Sequence, residues 1–210
     1  MSFTIPLAFR DPIEAFAPFA DRPWAMLLDS ASADPRRGRH VFLAIEPYKT
    51  LLDPPDPFGA LESALGPRRA PAFGTSLPFT GGAVGLFGYE LGRHLERAPA
   101  RHVEGGVEMA VGIYDVIAGF DLQERRAWVV GTDRAKAERI AAIIEAAPAL
   151  AAPAPAPALE CRPELSQKEY LERVEKVIAY IAAGDIFQAN FTQRFLAGRP
   201  DFYSAFELYR

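Results

Sequence analysis

Asp29 and Ser30 close the apolar run Trp24–Leu28 and open the segment DSASAD, where polar groups at a strand end can line a small-molecule pocket. A plain turn is the simpler use of the same residues. Glu90 and Glu96 are near enough in sequence for general acid–base work or Mg2+ binding, but two solvated charges on a helix face explain them better. His40, His94 and His102 have neither H-E-x-x-H nor paired-ligand spacing and read as surface or structural imidazoles. None of Ser30, Ser32, Ser63 and Ser76 sits in a G-x-S-x-G elbow, which argues against that hydrolase design. Gln188, Asn190, Gln193 and Arg194 crowd one short stretch and suit either backbone satisfaction or a cavity wall.

The glycine-rich stretch FTGGAVGLFGYELGRHLE, residues 79–96, is the most distinctive local feature. Gly82, Gly85 and Gly88 recur every third residue, matching neither the dinucleotide turn nor the phosphate loop. Missing side chains here predict close approach of a neighbouring backbone or ring rather than ligand contact. A helix is expected from about Tyr89, with Arg93 and Arg97 solvated.

The elements that must position these residues follow from the apolar pattern. Trp24–Leu28, His40–Ile45 and Tyr48–Leu52 have the length and content of buried strands. A hairpin is expected over Val107–Gly131, with VEMAVGIYDVIAGF and RAWVVG as arms around Asp121–Arg125. Asp133 then caps a helix carrying Ile140, Ile143, Ile144 and Ala147 on one face, ended by Pro148. Alternating Ala and Pro over Pro148–Pro163 remove backbone donors and predict an extended linker. Beyond it, Ser166 and Glu169 form a capping box opening a helix with Leu171, Val174, Ile178 and Ile181 in line, stopped at Gly184. Ile186–Leu196 reads as a strand, and Asp201 or Ser204 starts a last helix. One helix and one strand cannot bury both their apolar faces alone, so a longer protein is expected.

A chain of 210 residues that is half hydrophobic has enough apolar surface for a real core. A net charge of −4 lacks the basic footprint of a nucleic-acid binder. The single cysteine, Cys161, allows no internal disulfide and fits a reducing cytosol; no uncharged apolar run approaches the roughly 20 residues a membrane span requires. Neither nucleic acid nor membrane is an expected partner.

Three segments in order, WAMLLDS with GRHVFLAIEP, then FTGGAVGLFGYELGRHLE, then YIAAGDIFQANFTQRF, resemble the chorismate-using synthases, in the manner of the large component of aminodeoxychorismate synthases. The large component of anthranilate synthases shares the general pattern but tends to read G-Y-D-x-V-R, whereas Gly88–Arg93 here is G-Y-E-L-G-R, similar to the G-Y-D-L-G-R of the aminodeoxychorismate type. The resemblance implies an α+β fold, the amino-terminal part of the anthranilate synthase component I-like α/β sandwich, with antiparallel sheet and packed helices. Residues 1–147 would be its amino-terminal domain, 148–163 a linker, and 164–210 the start of a chorismate-binding domain.

It further implies replacement of the C4 hydroxyl of chorismate by ammonia, on the route to p-aminobenzoate and folate. A glutamine amidotransferase subunit would be the ammonia-supplying partner. Mg2+ would be the cofactor, neutralising the substrate carboxylate and aiding departure of the hydroxyl, and a lysine can be a nucleophile. The matching motifs for lysine, metal ligands and acid–base groups fall later than Arg210, so no catalytic or metal residue is assigned here. One family site does fall within the chain: a tryptophan-type amino-acid pocket, implied for Asp29 and Ser30 in Leu27-Leu28-Asp29-Ser30 and for Arg39 as the basic residue. Anthranilate synthesis and a non-catalytic amino-acid-binding or interaction module are the alternatives.

Overall fold

One apolar run, Met109 to Asp121, supplies a central strand to each of two antiparallel sheets. The computed structural model describes residues 2–30, 32, 37–67, 73–96, 106–153, 159–198 and 204–210, and it divides into two units, Met1–Ala151 and Ala152–Arg210. In the first unit the elements are β1 (Phe3–Leu7), α1 (Pro12–Phe16), β2 (Met26–Leu28), β3 (His40–Ala44), β4 (Lys49–Leu52), α2 (Pro57–Leu65) and β5 (Gly82–Phe87). They are followed by β6 (Met109–Tyr114), β7 (Val116–Asp121), β8 (Arg126–Gly131) and α3 (Arg134–Ala146). The five-stranded sheet runs β1-β8-β7-β3-β2 and the three-stranded sheet runs β4-β6-β5.

The expected long hairpin arm over Val107–Phe120 is therefore two strands. Only β7 and β8 form the hairpin, from Val116 opposite Gly131 to Asp121 opposite Arg126, while β6 leaves at Asp115 to pair with β4 and β5. Lys136 of α3 holds that corner through Asp115 Oδ1 at 2.6 Å and the Glu46 carbonyl at 3.2 Å. The Glu46 carboxylate in turn receives Arg22 at 2.9 Å and Arg139. Tyr114 sits just before the corner, 2% exposed, in a cluster with Val84 from one sheet and Ile117, Trp128 and Val130 from the other. Its hydroxyl donates to the Trp24 carbonyl at 2.7 Å, and burial pushes the phenol pKa up to about 12, so it stays a donor.

Helix α3 starts at the expected cap, Asp133, whose side chain accepts from Lys136 N, and it lays Ala137, Ile140, Ala141 and Ile144 against the five-stranded sheet. Each large aliphatic buried in this way contributes about 2 kcal/mol. Arg10 caps the far end of α3, donating to the carbonyls of Ile144 at 2.5 Å and Ala147 at 2.6 Å. Arg10 thereby ties the start of α1 to the end of α3. Leu150 N donates to Glu14 at 3.2 Å, so the first Ala/Pro residues are fastened to α1.

The glycine-rich stretch is a packing device. A Cβ on Gly85 would lie 2.1 Å from the Ala110 carbonyl oxygen and 2.8 Å from Val111 Cα; only glycine lets β5 run this close to β6. The helix expected from Tyr89 is a single 3-10 segment, Tyr89–His94, in which Arg93 pairs with Glu90 rather than standing in solvent; Arg97 lies outside the described residues. The strand expected over Trp24–Leu28 begins only at Met26, because Trp24 adopts a left-handed turn at φ +62°.

The second unit holds β9 (Arg162–Pro163), α4 (Gln167–Ala183), β10 (Phe195–Leu196) and α5 (Ala205–Tyr209). The capping box is formed: Ser166 Oγ accepts from Glu169 N at 3.3 Å and Glu169 accepts from Ser166 N at 2.9 Å. Gly184 closes α4 at φ +82°. Not one residue of α4 is buried, and Leu171, Ile178 and Ile181 are 50%, 58% and 41% exposed. The strand expected over Ile186–Leu196 shrinks to Phe195–Leu196, paired with Arg162–Pro163 inside the Ala/Pro segment. A strand needs a hydrogen-bonding neighbour, and among the described residues Ile186–Arg194 have none in a ladder. Ser204 caps α5, accepting from Glu207 N at 3.1 Å; Asp201, the other candidate, lies outside the described residues.

Substituting Gly85→Val is expected to cost about 2 kcal/mol or more in urea denaturation of the first unit, because the β5–β6 backbones must separate. Unchanged stability would mean that β5 does not run against β6 as described.

Candidate functional site

The end of β2, the start of α1 and the β7–β8 turn meet at one rim of the five-stranded sheet. They enclose a cavity of about 460 Å³ lined by Phe9, Asp11, Pro12, Ile13, Asp29, Ser30, Leu122 and Arg125. Asp29 and Ser30, expected together, are together: Asp29 Oδ1 accepts from Ser30 N at 2.7 Å, and Ser30 Oγ accepts from Ser32 N at 3.4 Å. The rest of the DSASAD segment, Ala31, Ala33 and Asp34, lies outside the described residues. Asp11 is the α1 cap, its Oδ1 accepting from Ile13 N at 2.8 Å, and Pro12 follows at the helix start, where its missing N–H costs nothing.

Arg39 is not among the residues that line this cavity. Its Nε and Nη2 donate to Asp121 Oδ2 at 3.0 and 2.7 Å, and its carbonyl accepts from Leu122 N at 2.9 Å. Asp121 is fully buried and answers from its other oxygen the amides of Gln123 and Glu124 at 3.1 and 3.0 Å. Burial by itself raises the carboxyl pKa; the Arg39 guanidinium and the turn amides outweigh it and hold Asp121 below the usual range. The same pairing raises the Arg39 pKa. His40 lies 3.7 Å from the same Asp121 oxygen.

The basic group on the cavity itself is Arg125, which the sequence did not single out. It occupies a left-handed turn position at φ +50°, and its guanidinium lies 4.6 Å from the centre of the Phe9 ring. The cavity thus presents two carboxylates, a hydroxyl and a guanidinium over apolar Phe9, Pro12, Ile13 and Leu122. That set includes groups that can pair with an ammonium and groups that can pair with a carboxylate. No spacing rule joins Phe9, Asp29 and Arg125; the only local sign of Arg125 is its place in a polar hairpin turn.

Of the other candidates, His94 and Arg194 find structural partners. His94 sits 3.4 Å from Glu108 beside a second cavity of about 320 Å³, where Asp53 Oδ1 accepts from the amides of Glu108 and Met109 at 2.8 and 2.7 Å. Arg194 donates twice to Glu164, at 3.0 and 2.6 Å, and this lowers the Glu164 pKa. His102 lies outside the described residues. Among the described residues no three His, Cys, Asp or Glu side chains are placed to hold a metal ion. No helix among them is long and apolar enough to cross a membrane.

Replacing Asp121→Asn keeps an acceptor for the turn amides but sets an amide N–H2 against the Arg39 guanidinium. We expect a loss of about 2 kcal/mol near neutral pH. Because the folded pKa is depressed, the gap between native and variant stays full above the titration of an unfolded aspartate. It closes as the pH falls through the lower folded value. A gap independent of pH in acid denaturation would contradict the assignment.

The family match takes in Asp29, Ser30, Leu122 and Arg125 of this cavity but begins after its α1 wall. A family model described as chorismate binding enzyme matches residues 27–210. The chain is 34% identical to aminodeoxychorismate synthase component 1 of Klebsiella aerogenes, over 91% of this chain and 46% of that protein. It is 31% identical to aminodeoxychorismate synthase component 1 of Escherichia coli, over 87% and 44%. Against anthranilate synthase component 1 of Streptomyces coelicolor it is 32% identical, over 90% and 42%. The crystal structure of anthranilate synthase component I from Streptococcus pneumoniae superposes with a TM-score of 0.62 at 21% identity, over 95% of this chain and 49% of that one, which establishes the α+β fold with its antiparallel sheets. The chain spans about half the length of the curated relatives it matches. It belongs to the chorismate-binding enzyme family.

Proposed function

We propose that this chain is the amino-terminal part of a synthase of the aminodeoxychorismate type. The observation that carries the reading is the family match over residues 27–210, joined to Gly88–Arg93 in the form G-Y-E-L-G-R. The complete protein would exchange the C4 hydroxyl of chorismate for ammonia: the C–O bond breaks, a C–N bond forms and water leaves. The product, 4-amino-4-deoxychorismate, leads to p-aminobenzoate and folate. The relatives are first components of two-component synthases, which supports a partner subunit; we take it to be a glutamine amidotransferase that supplies the ammonia. Mg2+ of the complete protein, and the residues doing the chemistry, would lie outside this chain. A lone exposed thiol, Cys161, suits the cytosol.

Within this chain the proposed ligand site is the rim cavity, as one wall of a tryptophan-type amino-acid pocket. Asp29 would meet the ammonium, and Ser30 with Arg125 the carboxylate. Arg39 would serve the pocket through Asp121, by holding the turn that carries Leu122 and Arg125. Anthranilate synthesis is the second reading, supported by the Streptomyces coelicolor relative, whose identity to this chain falls between those of the two aminodeoxychorismate synthases.

Two outcomes are expected. Chromatography of products from chorismate and ammonium should find none with the 210-residue chain and 4-amino-4-deoxychorismate with the complete protein; anthranilate instead would move the amino group to C2, and product from the chain alone would refute its incompleteness. Calorimetric titration of the chain with tryptophan should give weak binding or none, since one wall is supplied elsewhere. Tight stoichiometric binding would show the pocket to be complete within these residues.

A further inference from the structure

In an antiparallel sheet, residues paired across neighbouring strands share a face. Leu51, Val111 and Gly85 are paired in this way, and Leu51 and Val111 are buried in the cluster packed by α2. The opposite face carries two rows. Thr50, Gly112 and Val84 form the first, and the Tyr114 ring lies along it, so close that a Cβ on Gly112 would be 2.5 Å from the Tyr114 hydroxyl. Leu52, Ala110 and Leu86 form the second. Among the described residues Leu52 stands 63% and Leu86 51% exposed. The row also ends on β5, an edge strand, with Tyr89 just beyond at 97% exposed.

We propose that the row Leu52, Ala110 and Leu86 is a docking face for an apolar layer contributed by the part of the same polypeptide that is not in this chain. This rests on the reading of the chain as the amino-terminal part of a longer synthase, whose relatives are about twice its length. Area separates this occupant from the others. Three strands about 4.8 Å apart make a row only about 10 Å wide. A stable interface between separate proteins takes about 800 Å² from each partner, far more than two leucines and an alanine offer. A covalently attached segment is held at high effective concentration and needs no such area.

The test is hydroxyl-radical footprinting, read by mass spectrometry, of two unsubstituted proteins: the 210-residue chain and the polypeptide translated from the full reading frame. In the short chain Leu52 and Leu86 should oxidise about as readily as Leu65 of α2, which is 42% exposed. In the long protein they should oxidise at least about tenfold more slowly, as packed groups react only on local opening, with Leu65 unchanged. Equal rates in the two proteins would overturn the proposal. So would protection in the short chain that vanishes on dilution, which would seat a second copy on the face, or protection of the long protein only after an amidotransferase is added. A stop codon directly after Arg210 would sink the reading itself, and the proposal with it. Anthranilate as the product would overturn C4 amination and leave the docking face standing.

Discussion

The corner at Asp115 is the constraint on which the first unit depends. One extended run must leave one sheet and enter another there, and Tyr114 and Ile117, on either side of the corner, both enter the cluster with Val84 and Trp128 that the two sheets share. An unsupported corner would leave backbone groups and the Asp115 charge half-buried without partners, a cost that Lys136 and the Thr132 amide offset. Lys136 belongs to α3, whose other end Arg10 fastens to α1. The same helix therefore fixes the corner and, through α1, the Asp11 side of the rim cavity.

Arg39 holds a turn on the rim cavity without lining the cavity itself. Arg39 and Asp121 form a pair in which the carboxylate is fully buried and the guanidinium partly exposed. Such a pair adds little net stability, since desolvation consumes much of the Coulomb attraction. What it does add is position. Asp121 ends β7 and gathers the amides of Gln123 and Glu124, so the turn bearing Leu122 and Arg125 has one conformation. Arg125 completes that turn in the left-handed region, with its charged end over Phe9.

Local rules were legible in the sequence where a few neighbouring residues decide the outcome. The Asp133 cap, the Ser166 and Glu169 box, the Gly184 stop and the Ser204 cap all formed, because each is satisfied by groups within one turn of chain. The glycine stretch was read as close packing, and Gly85 against Ala110 gives that packing its atoms. Pairing was less legible. The apolar run through Tyr114 gave no local sign of its corner, since both halves have strand-forming side chains and only tertiary partners separate them. Ile186–Arg194 have the composition of a strand but no ladder among the described residues to join. That Asp29 and Ser30 line a cavity together was legible from their place at a strand end. Arg125 was not, and Arg39 faces Asp121, because which of two arginines reaches a cavity is settled by distant chain crossings.

The second unit has a helix with four apolar residues in line and none buried, and the first unit has a sheet with a bare leucine row; each is a surface suited to more polypeptide. Sequencing the reading frame beyond Arg210 tests that claim most directly. The expected result is an open frame that roughly doubles the chain and supplies the lysine and glutamates of a chorismate-binding centre. A stop codon there, with the 210-residue product folded, monomeric and abundant in the cell, would contradict it.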